Sequence, residues 1–321
     1  MATIGDILNV VDCNGTTNIL GTGTKGNNFS FKRIRSLWLT PKGFKYDSTK
    51  DLDLEYIQEL QATEKLIILN NAIDVEDESS DDKITTESDN SSSIGDLGLY
   101  QFKAIFKKGE YFNSALSYLR NSIGTYDVVE VDIDNNILGT RAADGSLKGF
   151  STNMINPVKV DFVNTEGALS KQGLQVQLAN RMERDRNYYF IDHCNLEEGF
   201  YPNTIDGVNE VVLSFEGVPS DGDALVSVKA VLKQDGTHVT GIVQNQFEFI
   251  INGSVINSVN GLSGVNESNE IYNFNLGLGS EVNVNDVLEI TLKDSDNNNR
   301  PGIVLDQDVF KSNTAKTIVV L

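Results

Sequence analysis

Apolar residues recur at every second position through most of this chain, a period that belongs to strands rather than helices. Leu99–Phe106 (LYQFKAIF), Tyr126–Ile133 (YDVVEVDI), Val158–Val163 and Leu174–Leu178 (LQVQL) show it clearly. Phe29–Leu39 alternates before a Pro41-Lys42-Gly43 turn, Leu66–Leu69 reads as a buried strand, and Ile137–Arg141 pairs back after Asp134-Asn135-Asn136. Two segments carry helical spacing instead. Asp51–Lys65 aligns Leu54, Ile57 and Leu60 and has acids in its first turn, while Glu110–Asn121 places Phe112, Ala115, Leu116 and Leu119 on one stripe. Residues 1–200 therefore read as an α+β domain, an antiparallel sheet carrying about two helices. From Val211 onward, short alternating strands are separated by Gly, Asn, Asp and Ser clusters, so residues 201–321 read as an all-β sandwich of Ig-like architecture. The Cys…Trp…Cys hallmark of antibody domains is missing from it.

One stretch breaks this rhythm. Asp74–Asp89 (DVEDESSDDKITTESD) holds eight carboxylates and one lysine, and polar residues continue to Ser93. Such a segment buries little apolar surface, so residues 74–93 are expected to be a solvated loop, or one ordered by a partner. The whole chain carries a formal net charge of −20, which argues against a basic nucleic-acid binder. It suits a protein that stays soluble at high local concentration or lets DNA pass without adhering. Two distant cysteines, Cys13 and Cys194, form no framework and fit reduced thiols in the cytoplasm. No basic leader and no apolar run of about 20 residues is present, so neither export by a cleaved signal nor membrane insertion is expected.

Candidate chemistry is sparse. Gly21–Gly26 spells G-x-G-x-x-G, but a strand-like segment follows where a phosphate-binding helix would have to open, so no cofactor is implied. Asp192-His193-Cys194 gathers reactive types, yet neighbours in a strand face opposite ways, and the other histidine, His238, falls in a turn. Asp294, Asp296 and Asn298 offer alternating oxygens for calcium, although Asn299 and Leu305 stand where an EF-hand needs Gly and Glu; Asp132–Asn135 is a weaker version. Basic residues cluster at Lys32, Arg33 and Arg35 with Lys42 and Lys45, at Lys107-Lys108, and at Arg181, Arg184 and Arg186. Against the acidic background, Lys32, Arg33 and Arg35 are candidates to meet Asp74, Glu76, Asp77, Glu78, Asp81 and Asp82 of another copy. Solvated surface charge is the plainer alternative.

Across Gly98–Leu178 the order strand, helix with Ala115-Leu116 at its centre, strand pair, Asp144-Gly145 and Gly149-Phe150 resembles virion structural proteins of tailed phages of Bacteroidetes, over roughly a quarter of the chain. The two-part plan is also similar to phage tail tube proteins. That resemblance implies a non-enzymatic subunit that self-associates into rings, with residues 74–93 as an inter-ring loop. It also implies an outward Ig-like domain, other virion proteins as partners, passive contact with DNA in a lumen, and a place in the virion after synthesis in the host cytoplasm. A capsid-associated decoration or neck protein shares this plan. A glycan-binding adhesin is a further alternative, with Trp38, Tyr188, Tyr189 and Tyr201 as stacking candidates.

Overall fold

The computed structural model describes residue 4 and residues 31–86, 92–96, 98–107, 116–120, 122–161, 171–256, 262–268, 270–276, 282–294 and 300–321. It is mostly β, with several sheets. The chain divides into two compact units, one of Met1–Ile57 with Lys65–Asp206, the other of Gln58–Glu64 with Gly207–Leu321.

The first unit contains β1 (Ile34–Pro41), the start of helix α1 (Leu54–Ala62), β2 (Ile67–Leu69), β3 (Ala72–Asp77), β4 (Lys83–Thr86), β5 (Ser92–Asp96) and β6 (Gln101–Lys107). It continues with β7 (Ser122–Ile123), β8 (Tyr126–Asp132), β9 (Ile137–Arg141), β10 (Leu147–Lys148), β11 (Phe150–Asp161), β12 (Lys171–Leu178), helix α2 (Arg181–Asp185) and β13 (Tyr188–Ile191). Its antiparallel pairings return to their start. β1 pairs β8, β8 pairs β11, β11 pairs β12, β12 pairs β6, and β6 pairs β3. β3 is continuous through Asn70-Asn71 with β2, which pairs β1. Asn71 takes a left-handed φ of 64° at the joint, a conformation Asn tolerates better than most residues. The result is a closed barrel of six staves, counting β2 and β3 as one. β9 continues from β8 and carries β10 and β13.

Alternation fills this barrel. Leu37, Leu39, Leu69, Ala72, Phe102, Ala104, Phe106, Val128, Phe150, Ile155, Leu174 and Val176, drawn from every stave, share one core. The seam between β1 and the β2–β3 stave is held differently at its two ends. Leu37–Leu39 pair by backbone with Ile67–Leu69. Beyond them side chains take over, as Ser36 Oγ donates to Leu69 O at 3.3 Å, Arg35 to Ala72 O at 3.3 Å and Arg33 to Ile73 O at 2.9 Å.

In the second unit β14 (Asn209–Phe215), β15 (Leu225–Leu232), β16 (Phe247–Ile251), β17 (Ser254–Ile256), β18 (Leu262–Ser268), β19 (Ile271–Leu276), β20 (Val287–Leu292), β21 (Ile303–Leu305), β22 (Asp308–Ser312) and β23 (Ala315–Ile318) form two sheets. Their orders are β18-β19-β15-β14-β22-β21 and β17-β16-β20-β23. Inward residues of both, among them Val226, Val228, Phe274 and Phe249, Leu288, Ile290, share a single core, which makes this unit a sandwich. The last turns of α1 belong here. Gln58 Nε2 donates to Gln307 O at 2.8 Å, Gly302 N donates to Ala62 O at 3.1 Å, and a Cβ on Gly302 would stand 3.0 Å from Ala62 Cα.

Several expectations shift. The helix expected over Asp51–Lys65 is Leu54–Ala62, with Asp53 Oδ1 accepting from Tyr56 N at 2.8 Å. Most of the one expected over Glu110–Asn121 lies outside the described residues. Val158–Val163 is no separate strand, since its described part is the end of β11. Helix α2 was not anticipated.

Candidate assembly site

The acidic stretch is not a loop over its first half. Asp74–Asp77 complete β3, because Ile73 and Val75 alternate with acids and Val75 sits opposite Ala104 on the core side of β6. Exposed Asp74 and Glu76 face solvent from the same strand. The pairing then runs past the barrel. Glu78 N donates to Gln101 O at 2.9 Å, Ser80 N donates to Leu99 O at 3.0 Å, and Gly98 N donates to Asp82 Oδ1 at 2.7 Å. A Cβ at Gly98 would overlap the Ser80 carbonyl oxygen, so this crossing admits only glycine without a shift. Beyond it, β4 and β5 pair with each other from Lys83↔Asp96 to Thr86↔Ser92. Residues 72–86 thus pair with residues 92–96 and 98–107 in three parts: a barrel portion, a neck at 78–82 and 98–101, and an arm whose two strands form a sheet of their own.

Helix α2 fastens the neck. Asn180 caps it, its side chain accepting from Met182 N at 3.0 Å. Arg181 forms an ion pair with Asp82, donates from Nε to Asp185 Oδ2 at 2.9 Å, and lies 5.1 Å over the Tyr100 ring. Tyr100 in turn donates to Asp185 Oδ1 at 2.6 Å. The Gly98 N–H and the Arg181 guanidinium hold Asp82 below the usual carboxylate range, and the Tyr100 hydroxyl with Arg181 does the same for Asp185. Glu78 is likewise held low, by Gln175 and Gln101, and Asp77 by Ser79.

The other two charged residues of α2 face the barrel. Arg184 reaches the buried Glu130 and lies 5.6 Å over Phe150. Burial pushes the Glu130 carboxyl above its ordinary value, against the pull of Arg184. Glu183 accepts from Ser151 N at 2.7 Å and from Ser151 Oγ at 3.0 Å, while Lys148 Nζ donates to Ser151 Oγ at 2.8 Å. A Ser–Lys contact of this length has the spacing of a nucleophile and its base. Here, however, Lys148 also lies 3.4 Å from Asp127 and 3.6 Å from Glu183. A lysine base needs a desolvated amine without counter-charges, so this group reads as charge compensation for the buried Asp127. Burial raises Asp127 despite the Gly43 N–H and Lys148.

The residues singled out from sequence fall as follows. Asp74 accepts from Val75 N, Glu76 pairs with Lys103, and Asp81 is exposed. Lys32 pairs with Asp134, at 2.6 Å. Within the chain, Arg33 donates to Ile73 O at 2.9 Å, and Arg35 to Ala72 O at 3.3 Å and to Asn71 Oδ1 at 2.6 Å, all just ahead of the acidic stretch. Lys45 pairs with Asp144 at 2.5 Å. Asp192-His193-Cys194 is a 3₁₀ turn rather than a strand, capped by Asp192, whose Oδ1 accepts from Cys194 N at 3.2 Å. Cys194 is disulfide-bonded, against the expectation of free thiols; Cys13 lies outside the described residues. His238 is half-buried as a residue with its side chain largely covered, its Nε2 3.0 Å from Glu267 Oε1.

Among the described residues no three His, Cys, Asp or Glu side chains are grouped to hold a metal; Asp294 is buried, and Asp296 and Asn298 lie outside them, as does Gly21–Gly26. Trp38 is fully buried in the first unit and cannot stack on a ligand, whereas Tyr188 and Tyr201 are exposed. No described helix is long and apolar enough to cross a membrane. Compared with known proteins, the chain matches no protein family and no curated protein.

Proposed function

We propose that this protein is a non-enzymatic structural subunit of a tailed phage virion, a tail tube subunit that self-assembles into rings. The observation that carries the reading is the arm. A two-stranded hairpin is at best marginally stable alone in water, yet β4 and β5 pair only with each other among the described strands, and Ile84 is 69% exposed. Such an element gains its stability by docking on a neighbour, and repeated docking between identical copies closes into a ring or stacks. The sandwich, taken as Ig-like, is the module turned outward. The net charge of −20 favours a lumen through which DNA slides.

Light scattering coupled to size exclusion, with negative-stain microscopy, tests this on the full chain and on a variant with residues 83–96 replaced by a two-residue turn. The cut belongs there because residues 74–77 are a barrel stave. Rings or tubes from the full chain and monomers from the variant are expected. A full chain that stays monomeric and binds preformed capsids would move the assignment to a capsid decoration protein. Retention on a polysaccharide matrix would move it to an adhesin.

A further inference from the structure

The geometry points to Arg181 as the positioning residue that fixes the arm's root to the barrel. This rests on the arm being the assembly element. One guanidinium serves three partners from three places: Asp82 on the outgoing side of the neck, the ring of Tyr100 on the returning side, and Asp185 on its own helix. Asp185 closes the circuit by accepting from Tyr100 at 2.6 Å. Arg181 therefore spans both strands of the neck at once.

Its helix is anchored independently of the neck. Glu183 holds β11 through Ser151, and Arg184 holds β8 through Glu130. A hairpin joined to a barrel by two strands swings about its base unless something braces it from the side. The Arg181 fork is that brace, and a planar fork holds direction better than a point charge on a flexible stem. Fixing the arm before docking lowers the entropy lost on assembly, so the brace acts on the rate and affinity of self-association rather than on whether the subunit folds.

Hydrogen exchange with mass spectrometry on the full chain, read beside assembly by light scattering, tests this. Arg181→Ala should raise exchange of the neck, residues 78–82 and 98–101, at least tenfold and slow assembly by a similar factor, while exchange of Lys171–Leu178 stays within twofold. Arg181→Lys should restore less than half of the lost protection. Gly98→Ala opens the same neck by steric overlap, with every charge kept, and should slow assembly alike. Neck exchange unchanged in Arg181→Ala, or a rise shared equally by residues 171–178, overturns the brace. A loosened neck with unchanged assembly, in both Arg181→Ala and Gly98→Ala, supports the brace and overturns the arm as the assembly element.

Discussion

Between the sheets of the sandwich, the space is filled by Val226, Val228, Phe247, Phe249, Phe274, Leu288 and Ile290, and the Tyr272 hydroxyl satisfies the adjacent loop, donating to Val239 O at 2.7 Å and accepting from Ile242 N at 3.2 Å. The barrel unit instead buries Asp127, Glu130 and Asp132 on one strand, with Ser36 and Thr40 on the strand beside it. Asp132 is satisfied by Asn136 and the backbone of Lys32 and Asp134. Glu130 Oε2 and Asp127 Oδ1 find no hydrogen-bond partner among the described residues. An apolar interior contributes stability in proportion to area, whereas buried charges cost desolvation and return specificity only when their partners are in place. The sandwich is built as a passive module. In the barrel unit, packing depends on α2, the same helix that fastens the arm.

The largest effect that would sharpen this contrast is Phe249→Ala. It should cost about 3–5 kcal/mol by the usual toll of emptying an apolar core, read as a lower denaturation midpoint for sandwich peptides in exchange experiments. Next comes Arg184→Ala, which strands Glu130 inside the barrel. Breaking a buried pair costs about 3–5 kcal/mol, and since the Arg184 side chain is 32% exposed we expect somewhat less, about 2–3 kcal/mol. The double change Glu130→Leu with Arg184→Met should recover most of it. If the double variant is as unstable as the single one, the barrel does not depend on charge compensation and the contrast fails.

How far these features were legible depended on range. Strands such as β6, β8 and β12 were readable because two-residue alternation is local, and α1 because Asp53 and the Leu54, Ile57, Leu60 spacing mark it. Closure of the barrel was not, because it depends on β11 passing from β8 to β12 and on β2 continuing into β3, pairings between distant residues. The acidic stretch was misread for a different reason: its charge hid the Ile73, Val75 alternation that seats it on β6. Arg-Met-Glu-Arg-Asp of α2 has too few residues to show a period, and most of its partners, Asp82 and Tyr100 at the neck and Ser151 and Glu130 in the barrel, are far off in sequence.

Acid should separate neck from barrel. Asp82, Asp185 and Glu78 have folded values below their ordinary ones, so their contribution is complete above the ordinary carboxylate range near pH 4 and is lost as pH falls through the depressed values. Asp127 and Glu130 are raised, so theirs is complete below that range and lost as pH rises through the elevated values. Lowering the pH from 7 to 3 therefore loosens the neck while relieving the interior. Exchange corrected for intrinsic rates should rise first in residues 78–82 and 98–101, with residues 171–178 still protected; simultaneous loss of both would show that neck and barrel open as one.

The smallest expected effect comes from a charge with nothing buried behind it. Lys316 pairs with Glu289 across β23 and β20 at 2.6 Å, but its side chain is 60% exposed, whereas Lys148, beside the buried Asp127, is 17% exposed. Exposed pairs contribute about 0–1 kcal/mol. Lys316→Ala should therefore leave the sandwich within about 0.5 kcal/mol of its original stability, while Lys148→Ala, which leaves Asp127 without its cation, should cost the barrel about 1–3 kcal/mol. Urea midpoints of the two variants decide the matter. Equal losses would mean that surface charge stabilises both units alike; a loss confined to Lys148→Ala would mean that the net charge of −20 governs solubility and association, and that stability depends on the few charges the barrel hides.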